Sequence, residues 1–106
     1  MNNVTISGRA TKDAEVRFSA GENQSAVARM TLAVNRWNND GADFINLVAF
    51  DKKAEFLDTY GKKGTKFEVR GHIHTDSYEK NGQRIYTTDV IVDEIEFGES
   101  KRPAEQ

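Results

Sequence analysis

"DFINLVAFDKKAEFLDTYGKKGTKFEVRG", Asp43 to Gly71, changes its hydrophobic period twice within one short stretch. Its first part alternates. Ile45, Leu47 and Ala49 fall on one side of an extended chain, with Phe44, Asn46, Val48 and Phe50 on the other. From Asp51 the spacing lengthens: Ala54, Leu57 and Gly61 share one helical face, Phe56 and Tyr60 sit four apart, and Gly64 suits a C-terminal cap. Alternation resumes at Phe67 and Val69. The stretch predicts a strand, one short helix and a second strand.

Similar runs lie on both sides. Upstream, Val4 and Ile6 alternate with Thr5, Ser7 and Arg9. In "AVARMTLAVNRW", Ala28, Met30, Leu32 and Val34 oppose Arg29, Thr31, Asn35 and Trp37. Downstream, Phe67, Val69 and Ile73 oppose Glu68, Arg70, His72, His74 and Tyr78. The last run, "RIYTTDVIVDEIEF", changes phase near Asp93, which calls for a bulge or for cover on both faces. Asp40-Gly41 and Asn81-Gly82 supply residues that tolerate positive φ in hairpin turns. Gly8 and Gly71, inside strands, mark bends or bulges. Strand, strand, strand, helix, strand, strand is the order of an all-β fold with one short helix, the OB-fold, a five-stranded Greek-key barrel.

The chain has 106 residues, enough for one core and one domain. It contains no cysteine, which removes thiol catalysis, thiolate zinc sites and disulfides and favours a reducing compartment. "MNNVTISGRATKD" lacks the basic start and apolar run of a leader, and no apolar stretch is long enough to span a bilayer. A soluble, cytoplasmic protein without membrane association is expected. Net charge is −2, from 15 basic and 17 acidic residues, and by itself points to no anionic partner. The acidity is mostly terminal: Met1 to Thr88 carries 13 basic and 11 acidic residues, Asp89 to Gln106 2 and 6.

Strand phase places aromatics in polar company. Trp37 falls opposite Met30, Leu32 and Val34; Phe44 and Phe50 share a side with Asn46; Tyr78 shares one with Arg70, His72 and His74. Flat rings on a polar face suit unpaired bases, since every base has a π-face, at about 1 to 3 kcal/mol each. Arg17, Arg29, Lys52, Lys62, Lys63 and Arg84 flank these strands or the helix and are candidates to hold phosphates. Aromatics on both sheet faces also serve subunit interfaces or a minor core, an account that suits Phe50 nearly as well as stacking does. His72 and His74 lack a third ligand of obvious spacing, so no metal site is assigned. Asp93 and Glu94 point to opposite faces of a strand, and neither lies beside a nucleophile or a histidine in the sequence. "GRATKD" lacks the spaced glycines of a phosphate loop. No catalytic residue, enzyme activity or cofactor is expected.

Four blocks, in order, resemble one family: "MNNVTISGRATKDAEVRFS", "AVARMTLAVNRW", "DFINLVAFDKKAEFLDTYGKKG" and "FEVRGHIHTDSYEKNGQRIYTTDVIVDEIEF" look like the corresponding blocks of bacterial-type single-stranded DNA-binding proteins and their phage and plasmid relatives. The resemblance covers about Met1 to Phe97. It implies an OB-fold subunit, usually assembled as a homotetramer, that wraps single-stranded DNA with little sequence preference during replication, recombination and repair. It also implies stacking roles for Trp37, Phe44, Phe50 and Tyr78, and phosphate contacts for Arg17, Lys52, Lys62, Lys63 and Arg84.

Some positions depart from the family pattern. His74-Thr75-Asp76 stands where Arg-Thr-Arg is frequent, Asp51 where glycine is common, and Ala14 where proline is frequent. Fewer cations along the arm imply fewer released counterions and a shallower salt dependence. The chain closes on "GESKRPAEQ" instead of the long linker and acidic tip of chromosomal members, so recruitment of replication or repair partners through a tail is not expected of it. Residues 1–98 are expected to form the DNA-binding domain and 99–106 a flexible remnant. The competing expectations are an OB-fold protein-interaction module of the primosome-adaptor type, with weak or no DNA binding, and RNA chaperoning of the cold-shock kind. The second is opposed by the chain's length and by the lack of closely spaced aromatic RNA-binding clusters.

Overall fold

Each alternating run becomes a strand with its apolar side on one core, except that Ile73, 45% exposed, lies beyond the core reached by Phe67 and Val69. The computed structural model describes residues 1–19 and 25–99. The order is β1 (Val4–Ala10), β2 (Glu15–Phe18), β3 (Ala26–Asn35), β4 (Ala42–Phe50), α1 (Lys52–Tyr60), β5 (Lys66–Lys80) and β6 (Gln83–Phe97). The sheet runs β1-β5-β6-β4-β3-β2, and β1 also pairs with β3. That extra pairing closes five strands into a barrel. All neighbours are antiparallel except β4 and β6, whose parallel contact joins Leu47 to Val90 and Val48 to Ile91. The chain is an OB-fold.

The short strand β2 was not foreseen from the sequence. Its register shows how it relates to the barrel: β1 ends with Ala10 opposite Leu32, and β2 starts with Glu15 opposite Arg29. The chain advances five residues while its partner recedes three, so β1 and β2 are two lengths of one edge with an excursion of two extra residues between them. Four residues offer too little alternation to announce a strand. The excursion is tied down from the helix end, where Ala14 N–H donates to the Gly61 carbonyl at 2.7 Å. A proline at position 14 has no such donor.

Phe67, Leu32, Leu47, Leu57 and Val69 are the largest fully buried side chains, joined by Ala28, Ala49 and Ala54. Removing each large side chain from water is worth about 1.5 to 3 kcal/mol. Helix α1 buries Ala54 and Leu57 against this core, the side its spacing predicts. Phe56 meets Phe67 edge-on with centroids 6.1 Å apart and Phe97 at 5.5 Å. The expected cap at Gly64 is corrected. Gly61 ends the helix, its N–H bonded to the Leu57 carbonyl at 2.7 Å, while Gly64 lies in the next turn with its N–H on the Ala10 carbonyl. A Cβ at position 61 would stand 2.5 Å from the Leu57 oxygen, so the close approach selects glycine there.

The phase change near Asp93 is a bulge. Arg70 pairs with Glu94 and Gly71 with Val92, leaving Asp93 without an opposite number. Val90 and Val92 point inward before it, and Ile95 and Phe97 pack on the core after it. Past this point β5 from His74 to Lys80 and β6 from Gln83 to Asp89 pair only with each other. They form an arm that leaves the barrel and turns at Asn81 and Gly82, both with positive φ. In the β3–β4 turn the positive φ values fall at Asn39 and Gly41, not at Asp40.

Candidate nucleic-acid interface

The outward side of β3 and β4 carries Arg29, Thr31 and Ala33 beside Val48, Asn46 and Phe44. Val48 is 5% exposed although it lies on this outer side and stands apart from the core cluster. Its neighbours across the sheet are Arg29 on β3 and Ile91 on β6. An apolar floor is thus built outside the barrel.

Over that floor runs an open groove of about 660 Å³ between β4 and the arm. Arg29, Asn46, Val48, Phe50, His74, Asp76, Tyr78, Tyr86, Asp89 and Ile91 line it. Phe50 is 44% exposed and Tyr78 50%, so each is partly covered and partly open to the groove. The structure therefore brings Phe50, Tyr78 and Arg29 together. Arg29 also borders two further grooves, one with Lys12, Thr31, Asn46 and Asp89, the other with Arg17 and Phe18 on β2. It stands where all three meet. Lys52, at the first turn of α1, shares a shallower groove with Phe50, Ile91 and Asp93.

Trp37 and Phe44 lie elsewhere. Strand β3 ends at Asn35, so Trp37 sits in the following turn and the strand-phase argument for it is corrected; its exposure, 99%, comes from projecting at that turn. Phe44 pairs with Ala33 one strand over and is 67% exposed. Arg36 braces the turn: its Nε donates to Asp43 at 3.0 Å and its Nη1 to the Asp40 carbonyl at 3.2 Å. Of the two acids near the tryptophan, Asp43 pairs its carboxylate with Arg36, while Asp40 takes part through its backbone, the carbonyl accepting from Arg36 and the N–H donating to Asn38 Oδ1 at 3.1 Å.

The remaining cations are spread out. Arg84, on the arm, donates to Ser77 at 3.0 Å and lies 4.0 Å from Glu79. Lys62 borders a groove with Arg9, Tyr60, Phe97 and Glu99, apart from the aromatic groove. Lys63 adjoins it, with its backbone N–H on Asp13. In that region Arg9 bonds Glu99 at 2.6 Å, and this hydrogen bond, with the guanidinium charge, holds the Glu99 carboxyl below its ordinary range. The expected flexible remnant 99–106 falls outside the described residues except for Glu99, which is tied to the barrel by that pair.

Sequence reasoning missed Tyr86, 75% exposed, and Phe18, 59% exposed. Counting back by twos from buried Val92 and Val90 puts Tyr86 on the inward phase; the arm has left the barrel by then, so that phase meets solvent. Phe18 likewise shares its phase with Val16, which packs on the core, but sits at the strand's last position. Among the described residues, no group of three His, Cys, Asp or Glu is placed to hold a metal, and no helix is long and apolar enough to cross a membrane.

A closed β-barrel with exposed rings and cations over an outer groove, extended by an arm, defines an OB-fold domain of the class that binds single-stranded nucleic acid. The particular family follows from comparison: the model of the single-strand binding protein family matches residues 1–98, and the chain belongs to that family. A single-stranded DNA-binding protein of Clostridium perfringens is 51% identical over 102 residues, covering 94% of this chain and 67% of the relative. One from Fusobacterium nucleatum is 43% identical, covering 95% and 69%, and one from Enterococcus faecalis is 46% identical, covering all of this chain and 58% of the relative. The chain thus spans roughly two thirds of the first two relatives and less of the third.

Proposed function

We propose that the protein binds single-stranded DNA with little sequence preference and protects it during replication, recombination and repair, as a non-enzymatic cytoplasmic homotetramer. Trp37, Phe44, Phe50 and Tyr78 stack on bases, while Arg17, Arg29, Lys52, Lys62, Lys63 and Arg84 hold phosphates. Residues 1–98 act as the DNA-binding domain. The single observation that carries this reading is the groove in which Phe50, Tyr78 and Arg29 converge over a buried apolar floor. Family membership and the names of the relatives agree with it.

The strand enters along this groove with its bases against the rings and its phosphates toward Arg29, whose position at the meeting of three grooves lets it serve more than one path. Trp37 and Phe44 extend the contact to the far end of the β3–β4 hairpin. Titration with oligo-dT at low salt, followed by Trp37 fluorescence, tests the proposal. Quenching and a mobility shift are expected. Absence of both, with a protein partner co-purifying, favours the interaction module instead. Native mass measurement of free protein tests the tetramer, and a monomer at all concentrations overturns it.

A further inference from the structure

The aromatic groove has two walls of different kind. Arg29, Val48 and Phe50 belong to the closed barrel, whereas Tyr78 and Tyr86 belong to the arm, where β5 from His74 and β6 up to Asp89 pair only with each other. A two-stranded ribbon is marginally stable by itself, so its direction is set where it leaves the sheet. The root of the arm is irregular: the register shifts between Arg70 and Gly71, and a bulge bends and twists the strands around it. Ile73, just beyond, is 45% exposed, so its side chain gives β5 little anchorage in the core. The gap across the groove therefore depends on what else holds the backbone there.

Asn2 holds it. The β1–β5 ladder ends with Val4 opposite Gly71, and stepping back from Val4 one residue for each residue forward from Gly71 brings Asn2 opposite Ile73. The Asn2 side chain pairs at that point in place of its main chain: Nδ2 donates to the Ile73 carbonyl at 2.9 Å, and Oδ1 accepts from the Ile73 N–H at 2.9 Å. A side-chain amide carries a donor and an acceptor as a peptide unit does, so the two bonds reproduce a hydrogen-bonded rung of an antiparallel ladder. This rung lies just past the register shift and one residue before β5 is left with β6 alone.

We propose, resting on the single-strand reading and deepening it, that Asn2 is a positioning residue for DNA binding: its amide fixes the angle at which the arm leaves the barrel, and with it the placement of Tyr78 and Tyr86 across the groove from Phe50. Asn2 is exposed, so its truncation leaves the core intact. In Asn2→Ala, hydrogen exchange at the Ile73 amide should accelerate by about tenfold or more while the urea midpoint stays near the wild-type value. Affinity for oligo-dT should fall by about three- to tenfold, part of what whole stacked rings contribute. A residue that only supports the fold weakens binding whatever the arm carries. One that acts through the arm does not. In Tyr78→Ala/Tyr86→Ala the rings that Asn2 places are gone, and adding Asn2→Ala there should change affinity by less than about twofold. A full loss in that background, or unchanged affinity in Asn2→Ala with both tyrosines present, overturns the assignment of Asn2 and leaves the single-strand reading standing. Wild-type protein that does not bind oligo-dT overturns the single-strand reading and this inference with it.

Discussion

Arg36 and Asp43 are joined at 3.0 Å across the turn that carries Trp37. Both side chains are about half exposed, 47% and 55%, so the pair is screened by water and worth at most about 1 kcal/mol. Its value lies in holding the turn in one shape while Trp37 projects. Asp43→Ala is therefore expected to lower unfolding free energy by no more than about 1 kcal/mol in a urea titration. Trp37 emission in the free protein should nevertheless change, because the brace on its turn is gone.

Trp37→Ala separates surface from core. With 99% of the residue exposed, its loss removes almost no buried area, so the urea midpoint should stay near the wild-type value. Affinity for oligo-dT should fall by about 1 to 3 kcal/mol. Leu32→Ala provides the contrast: Leu32 is fully buried, and truncation there should cost about 2 to 5 kcal/mol of stability. A large midpoint shift in Trp37→Ala would show that the tryptophan supports the fold.

Gly71 faces the Ile91 carbonyl so closely that a Cβ would stand 2.1 Å from its oxygen. This contact lies at the register shift where the arm leaves the barrel, and backbone on both strands must move to admit a methyl group. Gly71→Ala is expected to destabilise the domain by about 3 kcal/mol or more, in the range of overpacking penalties compounded by a disturbed ladder. Thermal unfolding measures it. Gly82→Ala makes a milder comparison, since no atom lies within 4 Å of a Cβ there and only its φ of +78° opposes the change.

These residues show where the sequence was informative. Five of the six strands, the helix and its buried face, and an irregularity near Asp93 followed from period and phase, because a buried face imposes its spacing on the chain; that the irregularity is a bulge came from the register. The misses share a different cause. Phe18 and Tyr86 keep the inward phase but occupy strand segments that reach past the barrel, and phase alone does not say where a barrel stops. Trp37 was placed on the solvent side by extending a strand that ends at Asn35. The convergence of Arg29, Phe50 and Tyr78 depends on how the arm stands beside β4, which is a matter of twist and not of spacing.

Asp51 joins β4 to α1 with φ 55° and ψ −118°, a conformation that glycine adopts freely and an aspartate does not. Its side chain makes no capping bond to compensate. The glycine common at this point in the family resemblance thus has a local reason. Asp51→Gly trades relieved strain against a more flexible unfolded chain, and a net stabilisation of about 1 kcal/mol is expected. Chemical denaturation reads it directly. Removing the carboxylate beside Phe50 and Lys52 should also strengthen DNA binding at low salt.

Salt dependence distinguishes the cations. Each phosphate neutralised on a single strand contributes about 0.7 to the slope of log affinity against log salt. Arg29 borders the three connected grooves, whereas Lys62 borders a separate one whose neighbours include Glu99 and Arg9. On an oligonucleotide short enough to fill only the aromatic groove, Arg29→Ala should lower both the affinity and the slope, the latter by about 0.7, while Lys62→Ala should leave the slope unchanged. On a long oligonucleotide that wraps further, the Lys62 variant should lose slope as well. Equal effects of the two substitutions on the short ligand would mean that the strand reaches both grooves at once, and the path along Arg29 would have to be redrawn.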